Sequence, residues 1–509
     1  MSLEPRTVKN RGEVSSKPPV WLRAAGMGLA ALLLAVPAAA RSIPGQGHYQ
    51  EQTQSSDPPS RIAEAAGIAA AAVLPPAAVS DAELLQALLD HNRAGALPVQ
   101  NGFTRRVPLL TVDLDAGLGE GAAAIPHAGG ILFRDGQTIG WSVRLDIEGA
   151  YASRLHLERV VLPADVEIWV FGVGGEASGP HGVELLGPEG DIWLPVVEGS
   201  SVFVEVQVAA RAVAEGEAGH FEIGQVMELF DLRAFGTKAW TDCDVDATCV
   251  DSGTLSMVDD YYNAVAHLLF NVGSSSYICS GALVNDSEPA SWIPYLLTAN
   301  HCLSTQASAS SLIAYFDFRT SVCNGTPPGL GTVPKVFGST LLATGSATDQ
   351  SDFTFLQLNA NPAGTNYYLG WTIDAPTHGQ DVHRISHPMG TAQKYSRDTY
   401  LAYGGIVCAP DLPRPRFRYS RPVFGSTTGG SSGAPVIVDN LGGQIVGQLY
   451  GKCHYSTWDE CDYGSYSTID GAFTTTYDHI SSWLEAAEEP LFADGFESGD
   501  TSVWSATVQ

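Results

Sequence analysis

Between Val202 and Val208 the chain alternates strictly: Val202, Val204, Val206 and Val208 share one face, while Phe203, Glu205 and Gln207 share the other. A two-residue period of this kind predicts a half-buried strand in an antiparallel sheet. Comparable runs at 139–147, 155–162 and 166–171, set off by Gly, Pro and Asp, extend that pattern from about Arg105 to Leu232. A further alternating run, Phe353-Thr-Phe-Leu-Gln-Leu358, follows directly on Asp352, and the apolar pair Leu296-Leu297 runs into Thr298-Ala299-Asn300-His301. Helical spacing is sparse. Ser80-Asp81-Ala82-Glu83 is a capping box that opens a short amphipathic helix through Leu84, Leu85, Leu88 and Leu89 and ends before Gly95. Ile480, Trp483 and Leu484 share one side of a second helical segment, Tyr477–Ala487. The expected class is all-β.

The ends of the chain follow other rules. Arg6, Lys9, Arg11, Lys17 and Arg23 precede an apolar stretch, Met27–Val36, and Pro37-Ala38-Ala39-Ala40 supplies the small residues of a cleavage site. This reads as an export signal over residues 1–40. Its apolar core is about half of what a membrane span needs, and no later segment is apolar for long enough, so no membrane partner is expected. Residues 41–79 are rich in Ala, Pro, Ser and Gln and lack periodicity, which predicts a flexible leader; with the short helix it occupies 41–104. A β-rich unit, 105–238, a third unit, 239–487, and an acidic, aromatic tail, 488–509, complete the plan.

Composition sharpens this. With 44% hydrophobic and 16% charged residues and 54 glycines, the 509-residue chain fits a strand- and turn-rich globular protein. A net charge of −28 excludes the clustered basic surface that a nucleic-acid partner requires. All eight cysteines lie between Cys243 and Cys461, and an even number in an exported chain reads as disulfides. No CxxC pair occurs, so neither a metal nor a cofactor is expected. His127, His156, His181 and His220 are scattered through the β-rich unit without a nucleophile or a ligand spacing.

The third unit holds the candidate chemistry. Breaking an amide bond calls for an activated nucleophile, a base to take its proton, a group to orient the base, and donors for the oxyanion. Gly429-Gly-Ser-Ser432-Gly-Ala-Pro435 sets a serine among small residues, so the backbone can turn tightly and aim the amides of Gly430 and Ser432 at one point. His301, followed at once by Cys302, is the candidate base; Asp352, at the head of its alternating strand, is the candidate orienting carboxylate. The order His301, Asp352, Ser432, at separations of about 50 and 80 residues, is that of chymotrypsin-like double barrels.

At these residues the chain resembles the bacterial lysyl endopeptidase branch of trypsin-like serine proteases, over roughly 239–487. The matching text is Cys243-Asp-Val-Asp-Ala-Thr-Cys249, Leu297-Thr-Ala-Asn-His-Cys302, Ser351-Asp-Phe353, His387-Pro-Met-Gly390, Gly430-Ser-Ser-Gly-Ala-Pro435 and Val446-Gly-Gln-Leu-Tyr-Gly451. The resemblance implies a chymotrypsin-like double β-barrel protease domain preceded by a β-sandwich-like pro-domain. It also implies a secreted, monomeric endopeptidase acting on protein or peptide substrates after Lys or Arg and kept latent by its own pro-domain. Disulfides Cys279–Cys302, Cys249–Cys323 and Cys243–Cys453 are implied, with Cys408 and Cys461 left to pair, or Cys453 and Cys461 exchanging roles. A cut between Lys238 and Ala239, just ahead of Cys243, would let a lysine-specific enzyme release itself. The aspartate that trypsin keeps six residues before the nucleophile is Ser426 here, and the aspartate that the lysyl enzymes carry about thirty residues after it falls on Asp462, the candidate floor of the specificity pocket. Tyr450 stands where the relatives often have His or Tyr beside the pocket wall. Two other readings stay open: a barrel without turnover serving as an adhesive or binding module, and an active protease with a non-basic preference.

Overall fold

The computed structural model describes residues 42–51, 71–73 and 81–485, apart from short stretches at 116–117, 119–123, 148–149, 173–176, 188, 215–218, 231–242, 289–290, 408–411 and 455–458. The export signal, Lys238, Ala239 and the tail 488–509 lie outside the described residues. Among the described residues no helix is long and apolar enough to cross a membrane, and no cluster of His, Cys, Asp or Glu is placed to hold a metal.

The first helix, α1 (Asp81–Arg93), ends as its sequence predicts. Gly95 adopts φ +69°, a left-handed conformation that glycine takes without a Cβ penalty and that closes many helices. The strand that follows, β1 (Val99–Asp113), enters a sheet with Ala152–Val161 and His220–Leu229. A second sheet is built from Ala124–His127, Gly130–Asp135, Thr138–Asp146, Glu167–Gly172, Ala177–His181 and Ser201–Ala209. The two sheets share one buried core containing Val112, Trp141, Leu157, Val204, Val206 and Phe221. The alternating strand is real, but both of its faces are covered. Ser201–Ala209 is paired on both sides, Glu205 lies opposite the buried Trp169, and Gln207 Nε2 donates to Glu205 Oε1 at 2.6 Å. That bond gives one oxygen of the buried carboxylate a donor within the strand itself.

In the C-terminal part, β2 (Val265–Val272), β3 (Ser275–Leu283), β4 (Tyr295–Thr298) and β5 (Ile313–Tyr315) curl together with a bent segment, β6 (Lys335–Phe337) and β7 (Ser339–Gly345), and with β8 (Phe353–Leu358). The bend is at Gly338, φ +71°, where the chain passes from pairing with β5 to pairing with β8. Beyond it, Asp381–Ser386, Lys394–Leu401, Phe417–Phe424, Pro435–Val438, Gln444–His454 and Tyr466–Ala472 pair around a closed six-stranded barrel. The result is an almost all-β fold with the double-barrel plan. Within the closed barrel Arg384 bridges Asp398 at 3.0 Å and Asp470 at 2.5 Å, all three buried, so the guanidinium neutralises carboxylates that burial alone would disfavour.

The structure corrects the expected layout in several places. Ser42–Ile43 pairs with Gly370–Thr372, and Gln46–Gln50 with Gly364–Tyr368, so this part of the supposed flexible leader is a strap of strands. Its attraction is backbone hydrogen bonding to otherwise open strand edges, which leaves no side-chain periodicity to read. The N-terminal sheet does not stop at a boundary, because β1 pairs onward with β3 and joins it to the first barrel in one twelve-stranded sheet. The last helix, α2, spans Phe473–Leu484 and so begins four residues before Tyr477, with Phe473 fully buried at its start.

The disulfides Cys249–Cys323 and Cys279–Cys302 form as the resemblance implies, and Cys243 pairs with Cys461, the exchange of roles with Cys453 that the resemblance leaves open. Cys453 is itself disulfide-bonded and sits in an apolar cluster with Phe417, Tyr419 and Ile469, whereas Cys461 is on an exposed turn that Cys243 can reach. Cys408 lies outside the described residues.

Candidate active site

Strand β4 delivers His301. Its apolar residues are buried to the end at Ala299, and the chain then turns, with Cys302 bridged back to Cys279 on β3. Asp352 heads β8, the strand that pairs with β4, so the pairing itself carries the carboxylate to the imidazole. Asp352 Oδ1 accepts the His301 backbone N–H at 3.0 Å, and Oδ2 lies 2.7 Å from His301 Nδ1. An ionised carboxylate can only accept, which puts the imidazole proton on Nδ1 and leaves Nε2 with a lone pair. Nε2 is buried and has no hydrogen-bond partner among the described residues. Asp352 is 1% exposed and takes φ +56°, a left-handed conformation that aspartate tolerates better than most residues.

The turn bearing Asp352 is held from the other barrel. Gln448 Nε2 donates to Ser351 O at 2.7 Å, and the Ser351 and Thr476 hydroxyls pair at 2.9 Å. Gly471 is required here, because a Cβ on it would stand 1.8 Å from Ser351 O. The two barrels are thus locked together one residue from the carboxylate.

Ser432 lies on the loop that joins Phe417–Phe424 to Pro435–Val438 of the closed barrel and rests against β3 of the first. The amides of Ser431, Gly433 and Ala434 are used by Thr428 O, Leu449 O and Ser431 O, whereas none of the loop's described backbone bonds uses the amides of Gly430 or Ser432. Gly430 takes φ +92° and Gly433 φ +80°, and a Cβ at either would meet backbone at 2.5–2.8 Å. Ser280, on β3, pins the loop. Its amide donates to Ser432 O at 2.8 Å, and its hydroxyl donates to Gly430 O at 2.9 Å while accepting the His387 amide at 2.9 Å.

A cleft of about 840 Å³ opens beside Ser432, between Thr427–Gly429 and Leu449–Lys452, with Asp459, Glu460 and Cys461 beyond. Tyr450 lines it and meets the His301 ring edge-on, centroids 5.6 Å apart. Burial, with the Asp352 charge adding to it, raises the Tyr450 phenol above its ordinary pKa and keeps it neutral. Asp462 is elsewhere. It is exposed, its Oδ1 accepts the Gly464 amide at 3.1 Å, and it does not line the cleft. Glu460, two residues earlier, does line it and lies 3.6 Å from Lys452 Nζ. Ser426 donates to Asp244 Oδ1 at 2.6 Å, so a carboxylate reaches this position from the segment beside Cys243. Burial lowers the Lys452 pKa against the opposing pull of Glu460, Asp398 and Asp244.

Sequence reasoning therefore missed Ser280, Gln448, Glu460 and Lys452. Only Ser280 carried a signal, its place directly after Cys279.

The lysyl endopeptidase C-terminal domain model matches residues 238–465. Lysyl endopeptidase of Pseudomonas aeruginosa is 28% identical over 347 residues, covering 63% of this chain and 71% of that protein. Secreted RxLR effector protein 73 of Plasmopara viticola is 26% identical over 185 residues, 34% of this chain and 42% of that protein. Among solved structures, the active form of the Rv3671c protease from M. tuberculosis is 14% identical, covers 47% of this chain and 89% of its own, and has a TM-score of 0.30. The scabies mite inactivated protease paralogue S-I1 is 15% identical, covers 44% and 95%, and also scores 0.30.

Proposed function

Because this chain carries a trypsin/chymotrypsin-fold protease domain related to bacterial lysyl endopeptidase, we propose that it is a secreted serine endopeptidase using Ser432, His301 and Asp352. Ser432 Oγ attacks the scissile carbonyl carbon as His301 Nε2 takes the hydroxyl proton. The oxyanion is held by the Gly430 and Ser432 amides. Collapse breaks the C–N bond, and the amine leaves with the proton from Nε2. Water, deprotonated by the same nitrogen, then attacks the acyl-enzyme and restores Ser432. Asp352 holds the imidazole in the productive tautomer throughout. The observation that carries this reading is the His301 ring. Its Nδ1 is 2.7 Å from a buried carboxylate, its Nε2 is without a partner among the described residues, and it stands against Tyr450 in the wall of the Ser432 cleft. The three described disulfides fit an exported protein. Residues 41–238 keep the enzyme latent until the chain is cut between Lys238 and Ala239.

The preference is for Lys or Arg before the scissile bond. Support for it comes from the acidic groups that line the cleft, Asp459 and Glu460 but not Asp462, and of these we take Glu460 as the one that meets the basic side chain. A hydrogen bond to a charged partner contributes about 1.5–3 kcal/mol, so Glu460→Gln should lower kcat/KM for lysine substrates about tenfold to a hundredfold. Asp462→Asn should leave it unchanged. Profiling both variants against a peptide library checks this. The opposite pattern would return the role to Asp462, and an undiminished lysine preference in both would remove both. The presence of Lys452 in the same wall favours the non-basic alternative, which the same library would reveal as a preference for acidic or small residues.

Ser280 is proposed as a positioning residue. Ser280→Ala removes the donor that orients Gly430 O and leaves the His387 amide without its acceptor. We expect kcat to fall about tenfold with KM little changed, since the loss falls on oxyanion alignment rather than on ground-state binding. Steady-state kinetics with a lysine ester reads the split, and an equal rise in KM at constant kcat would contradict it.

A further inference from the structure

Gly364–Tyr368 has one strand partner among the described residues, and that partner belongs to neither barrel: it is Gln46–Gln50, near the start of the chain. We infer that this edge, with Gly370–Thr372, Asn285 and Gln444, is a second peptide-binding groove of the protease domain, for an extended segment carrying an apolar residue, Pro and Gly in succession. In this chain residues 42–50 occupy it. Once they are displaced, the groove takes such a segment of a protein substrate. The inference concerns binding and stands apart from the reading of Ser432, since none of these residues lines the cleft beside it.

The groove reads main chain first. Gln46–Gln50 runs antiparallel to Gly364–Tyr368, from Gln46 opposite Tyr368 to Gln50 opposite Gly364, and Ser42 and Ile43 lie opposite Thr372 and Trp371. Adding a strand to an open edge is how an extended peptide is commonly held. Between the two pairings, side chains take over. Asn285 Nδ2 donates to Pro44 O at 3.0 Å, Gln444 Nε2 donates to Ile43 O at 3.1 Å, and the Gly45 amide donates to Leu441 O at 3.3 Å. Asn285 is 5% exposed and Gln444 3%. These buried donors serve carbonyls 241 and 401 positions away in the chain, and each would lose an acceptor in an empty groove.

Side chains set the class of ligand. Ile43 packs against the core that holds Trp371 and Ile445. Pro44 is exposed, where its missing N–H leaves no donor to satisfy. A Cβ on Gly45 would collide with Tyr367 Oη and stand 2.5 Å from Gly442 O, so only glycine fits. Tyr367 is held there, 3% exposed, by its hydroxyl donating to Gly442 O at 2.5 Å. From the groove's side, a Cβ on Gly370 would stand 2.6 Å from the Gly45 amide nitrogen. His48 stacks on Trp292 with centroids 4.4 Å apart, and Trp292 takes φ +50°, a strained conformation for a bulky residue. Strain of this kind persists where the surroundings hold it, ligand clamps among them. A segment that reaches its groove across such separations behaves as a tethered ligand, favoured over a free one by effective concentration rather than by different contacts. The cut proposed between Lys238 and Ala239 severs that tether.

The test uses the full chain, a fluorescein-labelled peptide of residues 42–50, and fluorescence anisotropy. Gly45→Val displaces the strap within the chain, and a chain lacking residues 42–50 does so without a substitution; circular dichroism and thermal unfolding report folding. Both should bind the peptide saturably and about tenfold or more tighter than wild type, whose groove is filled. A peptide carrying Gly45→Val, a scrambled peptide, and the strapless chain with Gly370→Val should each bind about tenfold or more weaker. Folded strapless chains that bind no tighter than wild type, or binding undiminished by Gly45→Val in the peptide, would overturn the inference. Hydrogen exchange of the unaltered chain decides the matter even where a variant fails to fold. The amides of residues 42–50 should exchange about tenfold or more faster than those of Gln444–His454, as for a ligand that leaves while the barrel stays closed. Exchange of both at one common rate would make the strap part of the core and overturn the inference as well.

Discussion

Ser432→Ala should lower kcat by about a millionfold and abolish self-cleavage, because the base and the oxyanion donors have nothing to act through once the nucleophile is gone. The folded state should be unaffected. The residue is 4% exposed, and it is its backbone, not its hydroxyl, that ties the loop to Ser280. Members of such a unit are strongly non-additive, so His301→Ala should cost about as much, and the double variant little more than either. Expression in a protease-deficient host followed by N-terminal sequencing and phosphonate labelling gives the measurement. A Ser432→Ala chain that still cuts itself ahead of Cys243 would sink the assignment, and a wild-type mature chain that forms no adduct would favour the binding-module reading.

The second large effect is at Asp352, where Asn should reduce kcat about ten-thousandfold with the fold intact. The carboxylate accepts two donors, the His301 amide at 3.0 Å and the imidazole at 2.7 Å. An amide offers one oxygen and one NH₂ group in their place. The oxygen keeps the backbone donor, the NH₂ group faces Nδ1, and the imidazole proton is driven to Nε2, where it blocks proton uptake from Ser432. Backbone strain is not the cause of the loss, since Asn tolerates φ +56° as readily as Asp does. Circular dichroism and unfolding should match wild type while turnover and labelling collapse together. Turnover within tenfold of wild type would show that Asp352 does not set the tautomer.

Much of the site was legible because its parts are local. An apolar strand that stops at small residues before His301, an alternating strand behind Asp352, and glycines around Ser432 each follow from short-range rules about pairing, burial and positive φ. Their order along the chain supplied the rest. The specificity pocket was not legible in the same way. Asp462 and Glu460 are two residues apart on one turn, and which of them faces the cleft depends on how Asp462 closes its own turn with Gly464 and on where the Cys243–Cys461 bridge draws the chain. Neither effect has a period or a composition. The strap at 42–50 escaped for a related reason, since it binds through backbone groups that every sequence possesses.

The sequence by itself determined the all-β class, the helix over 81–93 and the identity of the three residues proposed for catalysis, because each is encoded in spacing within a few neighbours. Tertiary structure alone decided that β1 joins the first barrel's sheet, that Cys243 joins Cys461, and that Glu460 rather than Asp462 lines the cleft beside Ser432. Those outcomes depend on which edges, sulfurs and carboxylates meet across long separations in the chain, and only the closed fold brings them within bonding distance.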